Sequence, residues 1–305
     1  MDKFNILIDR LISRSDAPEY EIKREAYLSE ISSFKIGGIA DAIVYPFSTD
    51  ALVELIGELD EANLPHIIIG KASNILFFDA RHSDIVVCTT YLKDYKIFDK
   101  TLQCDAGASL ATLGGALARA GLSGFEGLAG IPGTVGGAIY MNAGAFGCEI
   151  ADTIISAKCY DKESGKVIEL SREEMKLSYR KSVFCESDRY VILSAEFSLT
   201  ERASEEIMRD MKVNREKRQT SQPLEFPSAG SVFKRPPNAA AGALIDQAGL
   251  KGLSVGGAEV STKHAGFIVN RGGATASDVL ELIKIIKEKV FDLNGIMLEC
   301  EIELK

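Results

Sequence analysis

Two glycine-containing loops have the composition expected of phosphate-binding sites. They are Gly70-Lys71-Ala72-Ser73-Asn74, which follows an apolar run at His66–Ile69, and Gly130-Ile131-Pro132-Gly133-Thr134-Val135-Gly136-Gly137. Glycine lets backbone N–H groups approach a phosphate closely, and the serine and threonine hydroxyls add further donors. Tight turns without a ligand are the simpler interpretation, and for the shorter loop that interpretation stays open. The 22 uncharged residues between Glu126 and Glu149 favour a ligand for the longer loop.

The glycine spacing excludes the familiar nucleotide-binding motifs. No two glycines are separated by a single residue, so the dinucleotide motif G-x-G-x-x-G is absent, and no G-x-x-x-x-G-K-[ST] string occurs. The uncharged stretch is long enough to cross a membrane. However, each glycine in a helix interior costs about 1 kcal/mol relative to alanine, so we do not expect a transmembrane helix there. The first residues mix charges into an amphipathic pattern, which argues against a signal peptide.

Composition narrows the class of protein. A chain of 305 residues is long enough for two or three domains, and its 46% apolar and 26% charged residues are ordinary for a globular protein. A net charge of −9 lacks the basic surface of a nucleic-acid-binding protein, although it permits an anionic small ligand held by local cations. The six cysteines form no C-x-x-C pair, so we expect buried thiols in a reducing cytosol. No histidine lies in a metal-like cluster, and we expect no metal site.

The hydrophobic pattern mixes helices and strands without a regular βαβ alternation, which predicts an α+β fold. In the first two-thirds of the chain, helices are predicted at 4–12, from the capping run Ser48-Thr49-Asp50 to about 62, and at 110–120. Strands are predicted at 66–69, 85–88, 154–160, 167–170 and 190–199, and a hairpin around Asp99-Lys100 is predicted from strands at 96–98 and 102–104. In the remainder, helices are predicted at 201–217, 240–248 and 276–290, and strands at 231–233 and 296–304. This pattern suggests a larger N-terminal region followed by a smaller C-terminal domain.

Several longer strings resemble the UDP-N-acetylenolpyruvoylglucosamine reductase (MurB) family. They occupy residues 33–41, 70–76, 128–138, 141–147, 178–180, 227–234, 249–252 and 298–301, in order along nearly the whole chain. The strings PSAGSVFK and LAGIPGTVGGA are too long for coincidence. All nine tyrosines lie at or before Tyr190, which fits the shorter form of the family, without its tyrosine-bearing loop.

The resemblance implies a fold and a domain division. We expect an FAD-binding region of the vanillyl-alcohol-oxidase (PCMH) type, built from two α+β subdomains, and then a smaller α+β substrate domain. The expected limits are 1–205, with the PCMH-type part at about 32–200, and 206–305. Such a region binds a dinucleotide without the motif that is missing here.

The resemblance also implies an activity. The expected reaction is the NADPH-dependent reduction of UDP-N-acetylglucosamine enolpyruvate to UDP-N-acetylmuramate through non-covalently bound FAD, in peptidoglycan precursor synthesis. The expected partners are this sugar nucleotide and NADPH, with no nucleic acid and no membrane. We expect a monomer located in the cytoplasm.

Three side chains match the family's catalytic positions. Ser231 is expected to donate a proton to the carbanionic carbon formed by hydride addition, and Arg180 is expected to hold the enolate through its planar guanidinium. Glu301 fits if it is protonated during turnover, or if it orients Arg180 or a water molecule. The alternation of Glu299, Glu301 and Glu303 with apolar residues predicts a strand there.

The remaining expected site residues also follow from the resemblance. Those expected to bind FAD are Gly70, Lys71, Ala72, Ser73, Asn74, Gly130, Ile131, Pro132, Gly133, Thr134, Gly136, Gly137, Ala138, Asn142 and Gly144. Those expected to bind the substrate are Lys234, Arg235, Lys251 and His264. Two positions depart from common family members: alanine replaces glycine at Ala72, which we expect to avoid positive φ, and Arg235 replaces a smaller polar residue.

Two other functions remain open from the sequence. An oxidase of the same flavin fold would use O₂ and often binds FAD covalently, and Cys148 lies just beyond one flavin loop. A non-catalytic nucleotide-sugar or flavin-binding protein is the third candidate, although such a protein has no need of a proton donor.

Overall fold

The computed structural model describes residues 6–9, 11 and 19–305. The strands are β1 (Tyr20–Tyr27), β2 (Ile39–Pro46), β3 (His66–Ile69), β4 (Ile75–Leu76), β5 (His82–Cys88), β6 (Tyr95–Phe98), β7 (Thr101–Asp105), β8 (Leu122–Ser123), β9 (Gly144–Ala145), β10 (Cys148–Glu149), β11 (Ile154–Asp161), β12 (Lys166–Ser171), β13 (Tyr190–Ser198), β14 (Thr200–Glu201), β15 (Ser254–Val255), β16 (Ala258–Val260), β17 (Ile268–Asn270) and β18 (Glu303–Leu304). The helices are α1 (Leu28–Ile31), α2 (Thr49–Glu61), α3 (Leu110–Ala120), α4 (Val135–Tyr140), α5 (Val183–Glu186), α6 (Ser204–Ser221), α7 (Ala241–Gln247) and α8 (Ala276–Asn294).

The chain forms two compact units, each assembled from separate segments. The first contains Ala40–Lys71, Ser83–Arg215 and the described residues before Tyr27. The second contains Tyr27–Ile39, Ala72–His82 and Glu216–Lys305. The limits expected from the sequence, 1–205 and 206–305, stay a prediction.

The first unit contains two larger sheets, besides the two-stranded pairs β9–β10 and β8–β14. One is antiparallel, with the strand order β12-β11-β13-β7-β6, and its core includes residues of α3 and α4 such as Leu113, Leu117 and Ile139. The other has the order β1-β2-β5-β3, in which β3 and β5 are parallel, and α2 contributes to its core. These elements hold the second glycine-containing loop, which leads into α4, and the start of the first loop, Gly70 and Lys71, which follows β3.

The boundaries of α2 and α3 follow from their end residues. The Ser48 hydroxyl accepts a hydrogen bond from the N–H of Ala51 at 3.1 Å, which caps the start of α2. Helix α3 ends at Ala120 and is capped by Gly121, whose φ of 69° places it in the left-handed region that glycine adopts readily. Sequence and structure therefore agree closely on both helices.

The second unit has its own core. Helices α7 and α8 pack around the antiparallel sheet β15-β16-β17, and Ile245, Val260 and Leu282 are buried among them. Strands β4 and β18 form a separate parallel pair. Thr275 and Asp278 form a capping box at the start of α8, which fixes where that helix begins.

Most predicted elements of the first unit are present in the structure. Of the helix predicted at 4–12, residues 6–9 and 11 are helical, and its other positions lie outside the described residues. The charged helix predicted at 201–217 is shifted to Ser204–Ser221. Within the described residues, no helix is both long enough and apolar enough to cross a membrane.

Two predicted strands near the C-terminal end are wrong. Residues 231–233 form only isolated bridges, Ser231 to Phe267 and Phe233 to Cys300, and the strand predicted at 296–304 is reduced to β18. Pro236 and Pro237 follow the first segment, and proline has no N–H with which to continue a ladder. Helix α8 also continues to Asn294, beyond its predicted end at 290, because Gly295 supplies a left-handed cap there.

Candidate active site

Gly70 and Thr134 bring the two glycine-containing loops together in the first unit. A β-carbon added at Gly70 would lie 2.1 Å from Oγ1 of Thr134, so only glycine fits at position 70. Thr134 is 1% exposed, and its Oγ1 has no hydrogen-bond partner within the described part of the chain. A buried hydroxyl without a partner is costly, so this atom is suited to bind a ligand.

The longer loop is anchored to the segment between β7 and α3. The N–H of Gly136 donates to the carbonyl oxygen of Ala106 at 2.7 Å, and the N–H of Val135 donates to that of Ala108 at 3.0 Å. Ser109 and Thr134 form a further bridge. Sequence reasoning missed this partner segment, although its run of small residues between a strand and a helix is typical of a close backbone approach.

A cavity of about 610 Å³ includes Lys71 of the first loop and residues 107–109, part of the segment that anchors the second loop. It is lined by Lys71, Thr90, Lys93, Asp94, Tyr95, Lys96, Gly107, Ala108, Ser109, Thr112 and Leu113. Nζ of Lys71 donates to Oγ of Ser109 at 3.1 Å, which holds the first loop against the start of α3. Because three of the lining residues are lysines, the cavity is suited to an anionic ligand such as a diphosphate.

The remaining expected FAD-binding residues differ in their exposure. Gly130, Pro132 and Gly137 are exposed, Ile131, Gly133, Gly136 and Gly144 are half-buried, and Ala138 is buried. In the second unit, Ser73 and Asn74 are half-buried, whereas Ala72 is 3% exposed.

The backbone of Ala72 contradicts the sequence expectation. Its φ is +47°, in the left-handed region that we expected alanine to avoid. Its carbonyl oxygen is held by the N–H and the hydroxyl of Ser33, each at 3.5 Å. The surrounding structure thus imposes a conformation that costs a non-glycine residue roughly 1–2 kcal/mol.

Arg180 lies at the tip of a tight turn in the first unit. Ser178 and Lys181 pair across the turn through two backbone hydrogen bonds, and Arg180 itself has a φ of +53°. Its Nη2 donates to the carbonyl oxygen of Gly144 at 3.0 Å, and its Nη1 donates to that of Asn142 at 3.4 Å. The guanidinium is therefore held in one orientation beside the glycine-rich loop.

Asn142 connects that turn to the same loop. Its side chain is fully buried, and its Nδ2 donates to the carbonyl oxygen of Ser178 at 3.0 Å. Its Oδ1 accepts a hydrogen bond from the N–H of Ala151, also at 3.0 Å. Two of its hydrogen-bonding groups are thus used within the protein, and its expected role in FAD binding stays a prediction.

The structure brings the segments of Ser231 and Glu301 together in the second unit. The N–H of Glu301 donates to the carbonyl oxygen of Val232, next to Ser231, at 2.8 Å. Ser231 is half-buried, and its hydroxyl makes no hydrogen bond with the described residues. Ser231 can therefore direct its hydroxyl to a ligand. Arg180, the third expected catalytic residue, belongs to the other unit.

The lysines expected to bind the substrate each contact a carboxylate. Nζ of Lys234 lies 2.5 Å from Oε1 of Glu299, and Nζ of Lys251 lies 2.6 Å from Oδ2 of Asp246. Both acidic partners are exposed, and exposed ion pairs contribute little to stability, so either lysine can exchange its partner for a phosphate. Arg235 is exposed.

His264 is more constrained than these lysines. Its Nδ1 accepts a hydrogen bond from the N–H of Gly266 at 3.1 Å, and its ring packs edge-on against Phe267. Burial lowers the pKa of His264 below its ordinary value, and the nearby charge of Lys251 lowers the pKa further. The neutral ring then carries its proton on Nε2, where it can donate to a ligand.

The thiol of Cys148, just beyond the second glycine loop, is disfavoured as a nucleophile. Cys148 is half-buried, and burial raises the pKa of its thiol, so the thiolate is disfavoured. All six cysteines are free. Across the described residues, no group of three or more His, Cys, Asp and Glu side chains could hold a metal ion.

Comparisons with known proteins match both parts of the chain. A family model for the C-terminal domain of UDP-N-acetylenolpyruvoylglucosamine reductase matches residues 222–305, and one for an FAD binding domain matches residues 40–171. The UDP-N-acetylenolpyruvoylglucosamine reductase of Clostridioides difficile is 43% identical over 93% of each chain. That of Caldanaerobacter subterraneus is 41% identical over 98% of each chain.

Solved structures also include proteins that are similar to this chain. The crystal structure of UDP-N-acetylenolpyruvylglucosamine reductase (MurB) from Thermus caldophilus superimposes with a TM-score of 0.81 at 35% identity, covering 93% of this chain and 99% of that one. An alkyldihydroxyacetonephosphate synthase reaches a TM-score of 0.50 at 16% identity, covering 65% of this chain and 40% of that one, and shows a similar fold alone.

Proposed function

The chain belongs to the UDP-N-acetylenolpyruvoylglucosamine reductase family, and on that premise we propose specific roles for its site residues. As a member, it is a flavin-dependent oxidoreductase that reduces UDP-N-acetylglucosamine enolpyruvate to UDP-N-acetylmuramate with NADPH. The expected FAD-binding α+β fold is confirmed by the family model and by both structural neighbours.

The observation that carries the cofactor assignment is the Gly70–Thr134 contact. An unpartnered buried Oγ1, a position where no side chain fits and a cavity with three lysines together suit a dinucleotide diphosphate. Lys71, Thr134 and the backbone of the second glycine loop would hold FAD. When bound, FAD supplies the hydride chemistry between NADPH and the substrate alkene.

Ser231 would donate the proton that completes the reduction. Hydride addition to the terminal carbon leaves negative charge on the adjacent carbon and its carboxylate, and a hydroxyl is acidic enough to protonate such a carbon. The absence of a competing hydrogen bond from Ser231 to any described residue supports this role.

Arg180 and Glu301 would stabilise the negative charge that develops. The guanidinium of Arg180 can bind a carboxylate through two parallel hydrogen bonds, and its contacts with Asn142 and Gly144 restrict its orientation. A preorganised cation of this kind typically contributes about 10²–10³-fold in rate. Glu301 would donate a hydrogen bond itself, or would orient Arg180 or a water molecule.

Lys234, Lys251 and His264 would bind the sugar nucleotide. The two ammonium groups suit the diphosphate, and Nε2–H of neutral His264 suits a neutral acceptor. We also infer that the protein acts as a monomer in the cytoplasm.

The spectrum of the purified protein tests this function. We expect flavin absorbance, bleaching of that absorbance by NADPH without oxygen, and its return when the enolpyruvyl sugar nucleotide is added. Return of the colour with O₂ but not with the sugar nucleotide would favour the oxidase. A protein that binds flavin but is not reduced by NADPH would favour a non-catalytic binder. Precipitated protein that stays yellow would contradict non-covalent binding.

A further inference from the structure

Asn74 contacts the segment that carries Glu301. Nδ2 of Asn74 donates to the carbonyl oxygen of Glu301 at 3.0 Å. The backbone carbonyl oxygen of Asn74 accepts a hydrogen bond from the N–H of Glu303 at 2.8 Å. Asn74 and Glu301 are separated by 227 positions in the chain. The parallel pair of strands β4 and β18 begins just after them, with Ile75 opposite Glu303.

The backbone of Glu301 is consequently held on both sides. Its N–H donates to the carbonyl oxygen of Val232, which adjoins Ser231, and its carbonyl oxygen accepts from Asn74. Around Glu301 the chain forms no continuous ladder, since β18 begins only at Glu303 and Cys300 forms a single bridge. The Asn74 side chain supplies a restraint that neighbouring ladder bonds would otherwise provide.

We propose that Asn74 is a positioning residue for Glu301, which fixes the Glu301 carboxyl group relative to Ser231 for reduction of the substrate. The proposal rests on the function proposed above. It gives Asn74 a different role from its neighbours Lys71 and Ser73, because one N–H of the Asn74 carboxamide already donates to the protein backbone. We therefore assign the contribution of this side chain to the step that consumes the substrate, and not to the affinity for FAD.

The test uses Asn74→Ala, Asn74→Asp and the neighbouring control Ser73→Ala. Aspartate keeps the shape of asparagine but cannot donate to the Glu301 carbonyl oxygen when ionised. Four quantities are measured: the Kd of the apoprotein for FAD, the thermal midpoint of the apoprotein, the rate of flavin reduction by NADPH, and the rate of reoxidation by the enolpyruvyl sugar nucleotide.

Both Asn74 variants are expected to slow reoxidation by roughly 10- to 100-fold. The reason is that displacing a catalytic group by about 1 Å can lower the rate by up to about 100-fold. The Kd for FAD, the reduction rate and the thermal midpoint should stay close to those of the wild type. Ser73→Ala should instead weaken FAD binding without a selective loss in reoxidation.

Three outcomes would overturn the proposal. They are a weaker affinity for FAD with normal reoxidation at saturating FAD, an equal slowing of both half-reactions, and no change in reoxidation. If the wild-type protein itself is reduced by NADPH but not reoxidised by the sugar nucleotide, the proposed function fails, and that failure is seen before any variant is made.

Discussion

The hydroxyl of Ser231 gives the clearest test at the scale of one residue. Replacing Ser231 with alanine removes the proposed proton donor but leaves the bridge to Phe267, which is a backbone pairing. We expect flavin reduction by NADPH to stay nearly intact and reoxidation by the substrate to slow by about 10²–10⁴-fold, the usual contribution of general acid catalysis.

Stopped-flow absorbance measures the two half-reactions of this variant separately. Ser228→Ala, in the same string of small residues, is the matched control and should change neither rate substantially. An equal loss in both half-reactions of Ser231→Ala would refute its role as proton donor.

His264 predicts a pH dependence of stability. Because burial lowers its pKa, the folded protein binds this proton less readily than the unfolded chain does. The stability that His264 contributes is therefore fully present above its ordinary pKa of about 6.5 and is lost as the pH falls towards the lower folded value. Asparagine at this position keeps an acceptor for the Gly266 N–H but does not titrate.

Urea unfolding between pH 7.5 and pH 5.5 measures this effect. The free energy of unfolding should fall less for His264→Asn than for the wild type over this interval. Identical falls in the two proteins would show that another group is responsible.

At the scale of elements, helix α3 offers a matched pair of adjacent glycines. A β-carbon at Gly114 would lie 2.4 Å from the β-carbon of Ala129, whereas one at Gly115 would meet only the flexible end of Arg119, at 3.6 Å. Gly115→Ala should therefore raise the free energy of unfolding by about 0.5–1 kcal/mol through helix propensity. Gly114→Ala should lower it by about 1–3 kcal/mol through overpacking.

Urea unfolding of the two variants as apoproteins tests whether their changes in the free energy of unfolding have opposite signs. Ala129 belongs to the short helical turn before the second glycine loop, so Gly114→Ala should also weaken FAD binding. Equal effects of the two substitutions would show that the close approach of α3 to this turn does not limit stability.

The elements predicted correctly are those whose ends carry local chemistry. The capping run at residues 48–50 predicts α2, the alanine- and leucine-rich run at 110–120 predicts α3, and the turn at Asp99-Lys100 predicts the hairpin β6–β7. The chain near Ser231 could not be predicted in the same way. Its pairing partners, Phe267 and Cys300, are distant in sequence, and isolated bridges leave no periodic pattern.

The candidate site was predictable only in part for a similar reason. Glycine spacing and family resemblance indicated Gly70 and Thr134, but the contact between them is a tertiary feature. The left-handed Ala72 contradicts its residue type, because the Ser33 contacts that hold it come from 39 positions away. The use of Asn74 on the Glu301 backbone likewise has no local indication in the sequence.

At the scale of the whole molecule, removal of FAD should lower the thermal midpoint. A ligand present at 100 times its Kd stabilises the folded state by about 2.7 kcal/mol. For a chain of this size, that corresponds to a shift of roughly 4 °C. Riboflavin, which lacks the diphosphate expected at Thr134 and Lys71, should give a smaller shift at the same concentration.

Circular dichroism measures the midpoint without relying on flavin absorbance. The apoprotein should melt first, the riboflavin-containing sample next and the FAD-containing sample last. Equal shifts by FAD and riboflavin would show that the two glycine-containing loops do not bind the diphosphate.

The contact between Gly70 and Thr134 also constrains how this sequence can vary. These two positions are 64 residues apart, but the same small volume can be filled from only one of them. A β-carbon added at position 70 would lie 2.1 Å from Oγ1 of Thr134. If both codons are randomised together and the library is sorted for folded protein, alanine at position 70 should be recovered only alongside glycine or alanine at position 134. A side chain could then appear at position 70 only after position 134 had lost its hydroxyl, so the order of the two substitutions is constrained.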